Sequence, residues 1–137
     1  RQLSPALKAT GLLKINHDVV VPRGKIPELF EIIENLRQKY ELFIACFGHA
    51  GDGNIHVNIM VDRSNENEKK NANAAVRDLF VGVVSLEGSI SGEHGIGFQK
   101  STYLGIELGP SEIALMKRIK VAFDPLGILN PGKIFPE

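Results

Sequence analysis

Apolar positions recur along the chain with two different periods. In IPELFEIIENLRQKY, residues Ile26, Leu29, Phe30, Ile33 and Leu36 or Arg37 fall at helical spacing. Pro27 falls in the first turn, where a missing N–H costs nothing, so an amphipathic helix is predicted. Residues 18–21, DVVV, are β-branched and closed by Pro22, which predicts a short strand ending at the proline. Two further apolar runs, 42–47 and 55–61, flank a Gly/Asp/Asn-rich segment and predict an antiparallel hairpin. In the second run the period of two assigns Ile55, Val57, Ile59 and Val61 to a core face, and His56, Asn58 and Met60 to the opposite one. Helical spacing returns over residues 67–86, with Gly88 as a stop, and a short fourth strand is expected near 89–90. PSEIALMKRIKVAF predicts another helix, ended by Asp124 and Pro125, whose stripe of Ile113, Leu115 or Met116, Ile119 and Phe123 is assigned to the core. The closing LGILNPGKIFPE reads as an ordered tail without regular structure. Strand, helix, strand, taken twice, predicts an α+β fold. Its form is a ferredoxin-like antiparallel sheet with both long helices on one face, plus the C-terminal helix and tail.

Composition narrows the partners. At 137 residues the chain has the length of one domain. Sixteen Lys and Arg balance sixteen Asp and Glu, and no segment interleaves basic residues with aromatics, so nucleic acid is not an expected partner. No apolar run approaches the roughly 20 residues that cross a bilayer, so no transmembrane segment is predicted. The expected location is cytoplasmic, with any membrane association peripheral, at the inner membrane and through partner subunits. The single cysteine, Cys46 in ELFIACFG, has no partner for an internal disulfide and reads as a small buried residue. The opening RQLSPALKAT has neither an initiator Met nor a signal-peptide pattern and reads as the interior of a longer chain.

Candidate chemistry concentrates in two glycine-rich loops. FGHAGDGNIHVN holds His49 and His56, and SISGEHGIG holds Glu93 and His94, while His17 stands apart and reads as a surface residue. Neither GDG nor GIG completes a GxGxxG fingerprint in its strand, loop and helix setting, so no dinucleotide site is predicted. Neutral imidazole and carboxylate suit Zn²⁺ or a similar ion, and three protein ligands leave positions open for water or substrate. Spacing leaves two readings open: a hairpin beside which histidines happen to stand, or a turn that brings His49 and His56 together. Asp52 and Asn54 are assigned to the turn, because Asp and Asn bond their own backbone there and accept left-handed conformations.

Three stretches in order, GHAGDGNIHVN, GSISGEHGIGFQK and FDPLGILNPGKIF, together with DVVVPRGKIPEL, resemble the C-terminal domain of the FAD-linked oxidases. That group includes D-lactate dehydrogenase, D-2-hydroxyglutarate dehydrogenase and glycolate oxidase, and the resemblance covers nearly the whole chain. It implies that residues 1–137 are the substrate and metal domain that caps the flavin, a fragment lacking the N-terminal FAD-binding domain of vanillyl-alcohol-oxidase type. By this resemblance His49, His56 and Glu93 look like ligands of Zn²⁺, Mn²⁺ or Fe²⁺, and His94 like the general base. Asn58 matches a position that touches substrate. Lys14 and Arg1 stand near positions that hold a substrate carboxylate, and Asn130 near one that reaches the cofactor. The implied reaction is oxidation of a small 2-hydroxy acid, with the metal polarising the hydroxyl, His94 removing its proton, and hydride passing to FAD on the other domain. The fragment by itself is expected to be inactive. Two other classes compete: a self-contained metal hydrolase using the same His, His and Glu set, and a binding module whose histidines are incidental.

Overall fold

The computed structural model describes residues 3–135, which divide into two compact units, one ending at Glu93 and one beginning at His94. In the first unit, helix α1 (Leu3–Ala9) precedes strand β1 (Leu13–Val20), and a short 3-10 turn leads into helix α2 (Ile26–Tyr40). Strands β2 (Phe43–His49) and β3 (Asn54–Val61) form the hairpin, and helix α3 (Glu66–Ser85) follows. The sheet is antiparallel in the order β1-β3-β2, so the histidine-bearing strand β3 is central. The fourth strand contracts to a single antiparallel bridge between Val20 and Ser89, closed by N–H···O bonds of 3.1 and 2.8 Å. That bridge lies along β1, at the fourth position of a ferredoxin-like sheet.

Period-two alternation explains why β1 is longer than DVVV. Its polar residues Lys14, Asn16 and Asp18 alternate with Ile15, His17 and Val19, and the register runs the length of β3 from Val61 to Asn54. One sheet face carries Ile55, Val57, Ile59 and Val61, all buried as predicted. The apolar stripes of α2 (Leu29, Ile33, Leu36) and α3 (Ala72, Ala75, Val76, Leu79, Phe80, Val83) are buried with them. The N-terminus of α3 is set by Asn65, whose side chain accepts the N–H groups of Asn67 and Glu68 at 3.1 and 3.2 Å.

His17 is a correction. It is opposite Val57 on the core face, 5% exposed, with its ring edge-to-face against Phe80 at 5.1 Å. The β1 register puts it with Ile15 and Val19, so the imidazole packs as an aromatic rather than lying on the surface.

In the second unit a helical turn, Ser101–Tyr103, runs into α4 (Leu104–Glu107), and α5 spans Pro110–Phe123. The α5 boundaries match the sequence pattern, but the assignment of its stripe to the core does not hold. None of its residues is buried, and Phe123 is 82% exposed. Helical periodicity marks an amphipathic face without saying what covers it. The tail is ordered by Asp124, whose carboxylate accepts the N–H groups of Ile128 (3.0 Å) and Leu129 (2.9 Å) and pairs with Lys120. Farther on, the Ile134 N–H donates to the Gly97 carbonyl at 2.7 Å, and the Lys133 ammonium lies over the Phe98 ring. Among the described residues no helix is long and apolar enough to cross a membrane.

Candidate metal and substrate site

The sheet face opposite Ile55 and Val57 carries the polar residues. Register places Asp18, His56 and Phe47 in one row across the three strands, and Asn16, Asn58 and Ala45 in the next. The turn between β2 and β3 then returns His49 alongside Asn54. It brings the His49 and His56 rings to 6.3 Å between centroids, with Phe47 packed 5.5 Å from His56. Gly53 makes the turn feasible: its φ is +77°, its carbonyl accepts the Val21 N–H at 3.2 Å, and a Cβ would collide with the Val21 carbonyl. Asp52 lies in the turn, where its N–H donates to the His49 carbonyl at 3.2 Å. Asn54 differs from expectation. It is the first residue of β3, buried, and its amide occupies the space a Cβ on Gly92 would need.

The second half arrives from residues 91–93. The Glu93 N–H donates to the Asp18 carboxylate, and the Glu93 side chain reaches Oε1 to 3.3 Å from His56 Nε2. An imidazole from the hairpin, His56, and a carboxylate from a distant loop, Glu93, therefore meet above β3, and the His49 ring stands beside that of His56. The donor set fits a divalent cation that accepts nitrogen and oxygen ligands. Asp18 itself is absent from the sequence-based candidates. The only signal is a carboxylate among β-branched residues, and its neighbour His56 is visible only once the strands are paired.

His94, exposed, follows Glu93 directly and opens the second unit. Lys14 is half-buried on the polar face of β1, with its ammonium donating to Ser4 Oγ at 2.8 Å. Asn58 is fully buried: its Oδ1 accepts from Asn16 Nδ2 at 2.6 Å, and its own Nδ2 donates to the carbonyls of Ala45 (3.1 Å) and His56 (3.3 Å). Its amide is thus already engaged within the sheet. Asn130 lies exposed in the tail of the second unit with φ +48°. Arg1 lies outside the described residues. Cys46 faces the core opposite Val57, and burial pushes its thiol up to about 11, which removes it as a nucleophile near neutral pH.

The family model described as "FAD linked oxidases, C-terminal domain" matches residues 1–134. The chain is 42% identical over 133 residues to glycolate oxidase subunit GlcD of Bacillus subtilis, covering 95% of this chain and 28% of that protein. It is 41% identical over 133 residues to a D-lactate dehydrogenase of Anaerostipes hadrus, covering 96% and 28%. To a D-2-hydroxyglutarate dehydrogenase of Stutzerimonas stutzeri it is 42% identical over 123 residues, covering 87% and 26%. The chain spans little more than a quarter of the length of these relatives.

Proposed function

Because the chain belongs to the C-terminal domain family of the FAD linked oxidases, we propose that residues 1–137 are the substrate- and metal-binding domain of a longer flavin-dependent 2-hydroxy acid oxidoreductase. The observation that carries the reading is the meeting of His56, from the hairpin, with Glu93, from the 91–93 loop, the His49 ring lying 6.3 Å from that of His56 between centroids. In this reading those three side chains hold a Zn²⁺, Mn²⁺ or Fe²⁺ ion. When bound, the ion supplies Lewis-acid polarisation of the substrate hydroxyl, and FAD on the remainder of the protein supplies the hydride acceptor.

The chain's own residues do the rest. His94 takes the proton of the 2-hydroxyl, for which a neutral imidazole is the suited acceptor near physiological pH. Lys14, on the same sheet face as His56, attracts a substrate carboxylate, and Arg1 is assigned the same task. Asn58 contributes at the substrate position, and Asn130 is directed toward the flavin. Glycolate, D-lactate and D-2-hydroxyglutarate are the substrate candidates, in accord with the relatives' names. A cytoplasmic placement, with at most peripheral membrane association, belongs to the same proposal and is tested by cell fractionation.

The deciding experiment uses the full-length protein. Metal content is measured in the wild type and in His49→Ala, His56→Ala and Glu93→Gln, and flavin bleaching is followed with each of the three acids. The expected result is loss of bound metal together with at least about a hundredfold slower flavin reduction. Unchanged metal content in all three variants refutes the metal reading. Ester hydrolysis by the Zn²⁺-loaded protein, with no flavin reduction, would favour the hydrolase instead.

A further inference from the structure

Asp18 is a carboxylate with no exposed surface, set in a run of valines. A buried anion is strongly unfavourable unless donors satisfy it, so its surroundings are informative. Asp18 pairs with His56 across β1 and β3, and its Oδ2 accepts the Glu93 N–H. Gly92, one residue earlier, lets the loop descend: a Cβ there would press within 3.2 Å of the Asp18 carboxylate and into the Asn54 amide. Glu93 is thus held at its backbone by Asp18 while its side chain extends to His56.

We propose that Asp18 is a positioning residue of the site: a buried carboxylate that pins residues 91–93 onto β1 and so sets the Glu93 carboxylate beside the His56 imidazole. It acts through Glu93 rather than on substrate. The inference rests on the metal reading of His49, His56 and Glu93, and deepens it by naming what orients one ligand. Partners of this kind, one step removed from the ion, are worth about 10- to 100-fold in metal affinity.

The test uses the full-length protein, with Zn²⁺ as probe in competition with a chromophoric chelator. Amide exchange over residues 91–93 is followed separately in the chelator-stripped protein. Asp18→Ala is expected to weaken Zn²⁺ binding by about 10- to 100-fold and to speed exchange of the Glu93 amide even without metal. Asp18→Asn keeps an acceptor oxygen without the charge, so a loss of roughly 3- to 10-fold is expected, a partial rescue. If the folded variants bind Zn²⁺ as tightly as wild type and protect the Glu93 amide equally, the inference is overturned, even if their melting temperatures fall. Should Asp18→Ala not fold, Asp18→Asn decides by the same two readouts. His56→Ala is the control for the parent reading. If it retains wild-type Zn²⁺ binding, or if the wild type binds none, the metal reading fails, while exchange in the stripped protein still decides whether Asp18 pins the loop.

Discussion

Truncating Asn58 to alanine separates a scaffold role from a purely ligand-facing one. The side chain is fully buried, and alanine would delete the acceptor of a 2.6 Å bond from Asn16 and the donor to the Ala45 and His56 carbonyls. A neutral hydrogen bond contributes about 0.5–1.5 kcal/mol net, and stranding a part-buried partner such as the Asn16 amide adds to the cost. The sum is about 2–4 kcal/mol, at the upper end of what single substitutions do. For a chain of this size that lowers Tm by about 6–14 °C. Urea unfolding followed by circular dichroism measures it, with Asn16→Ala and the double variant completing a cycle. The expected coupling between the two asparagines is about 1 kcal/mol, because each deletion removes the same bond. An Asn58→Ala variant within about 0.5 kcal/mol of wild type, with no coupling to Asn16, would show that the amide does not hold β1 to β3 and would refute the reasoning.

Gly92→Ala drives a Cβ into the Asn54 amide and toward Asp18; a destabilisation of about 1–3 kcal/mol and weaker Zn²⁺ binding are expected, read by urea melts and chelator competition. For Asp124, the hydrogen bond from Lys120 holds the carboxyl below its ordinary value, with the Leu129 and Ile128 N–H groups adding to it against the opposing effect of burial. A depressed carboxyl stabilises the fold above the unfolded pKa of about 3.9, and that contribution is lost as pH falls through the lower folded value. Limited acid proteolysis over residues 124–135 should therefore accelerate in the wild type as pH drops below about 4, whereas Asp124→Asn should already be susceptible at neutral pH, with a flatter profile. With its thiol near 11, Cys46 should react with Ellman's reagent at pH 7.5 far more slowly than a free cysteine, and rapid labelling of the native protein would contradict its packing against the core.

Local patterns were legible because they are set by neighbours in the chain. The 3.6-residue period marked α2, α3 and α5, the Gly-rich segment marked the hairpin, and period two sorted Ile55, Val57, Ile59 and Val61 from His56 and Asn58. The motif stretches brought forward His56 and Glu93, which the fold brings within 3.3 Å of each other. Burial of a particular face was less legible. The α5 stripe looks like core by spacing yet carries no buried residue, and His17 looks like surface yet packs on Phe80.

Chain-local patterns were enough to place α2, α3, α5 and the β2–β3 hairpin, to show that charge is balanced, and to name which imidazoles and carboxylates are eligible ligands. Which of them meet was settled by the packing of the strands. Pairing β1 with β3 put Asp18 opposite His56, and the descent of Gly92 onto β1 carried Glu93 to both. Those contacts join residues far apart in the chain, and nothing local encodes them. They follow from strand register, which is settled by burying one whole face of the sheet at once.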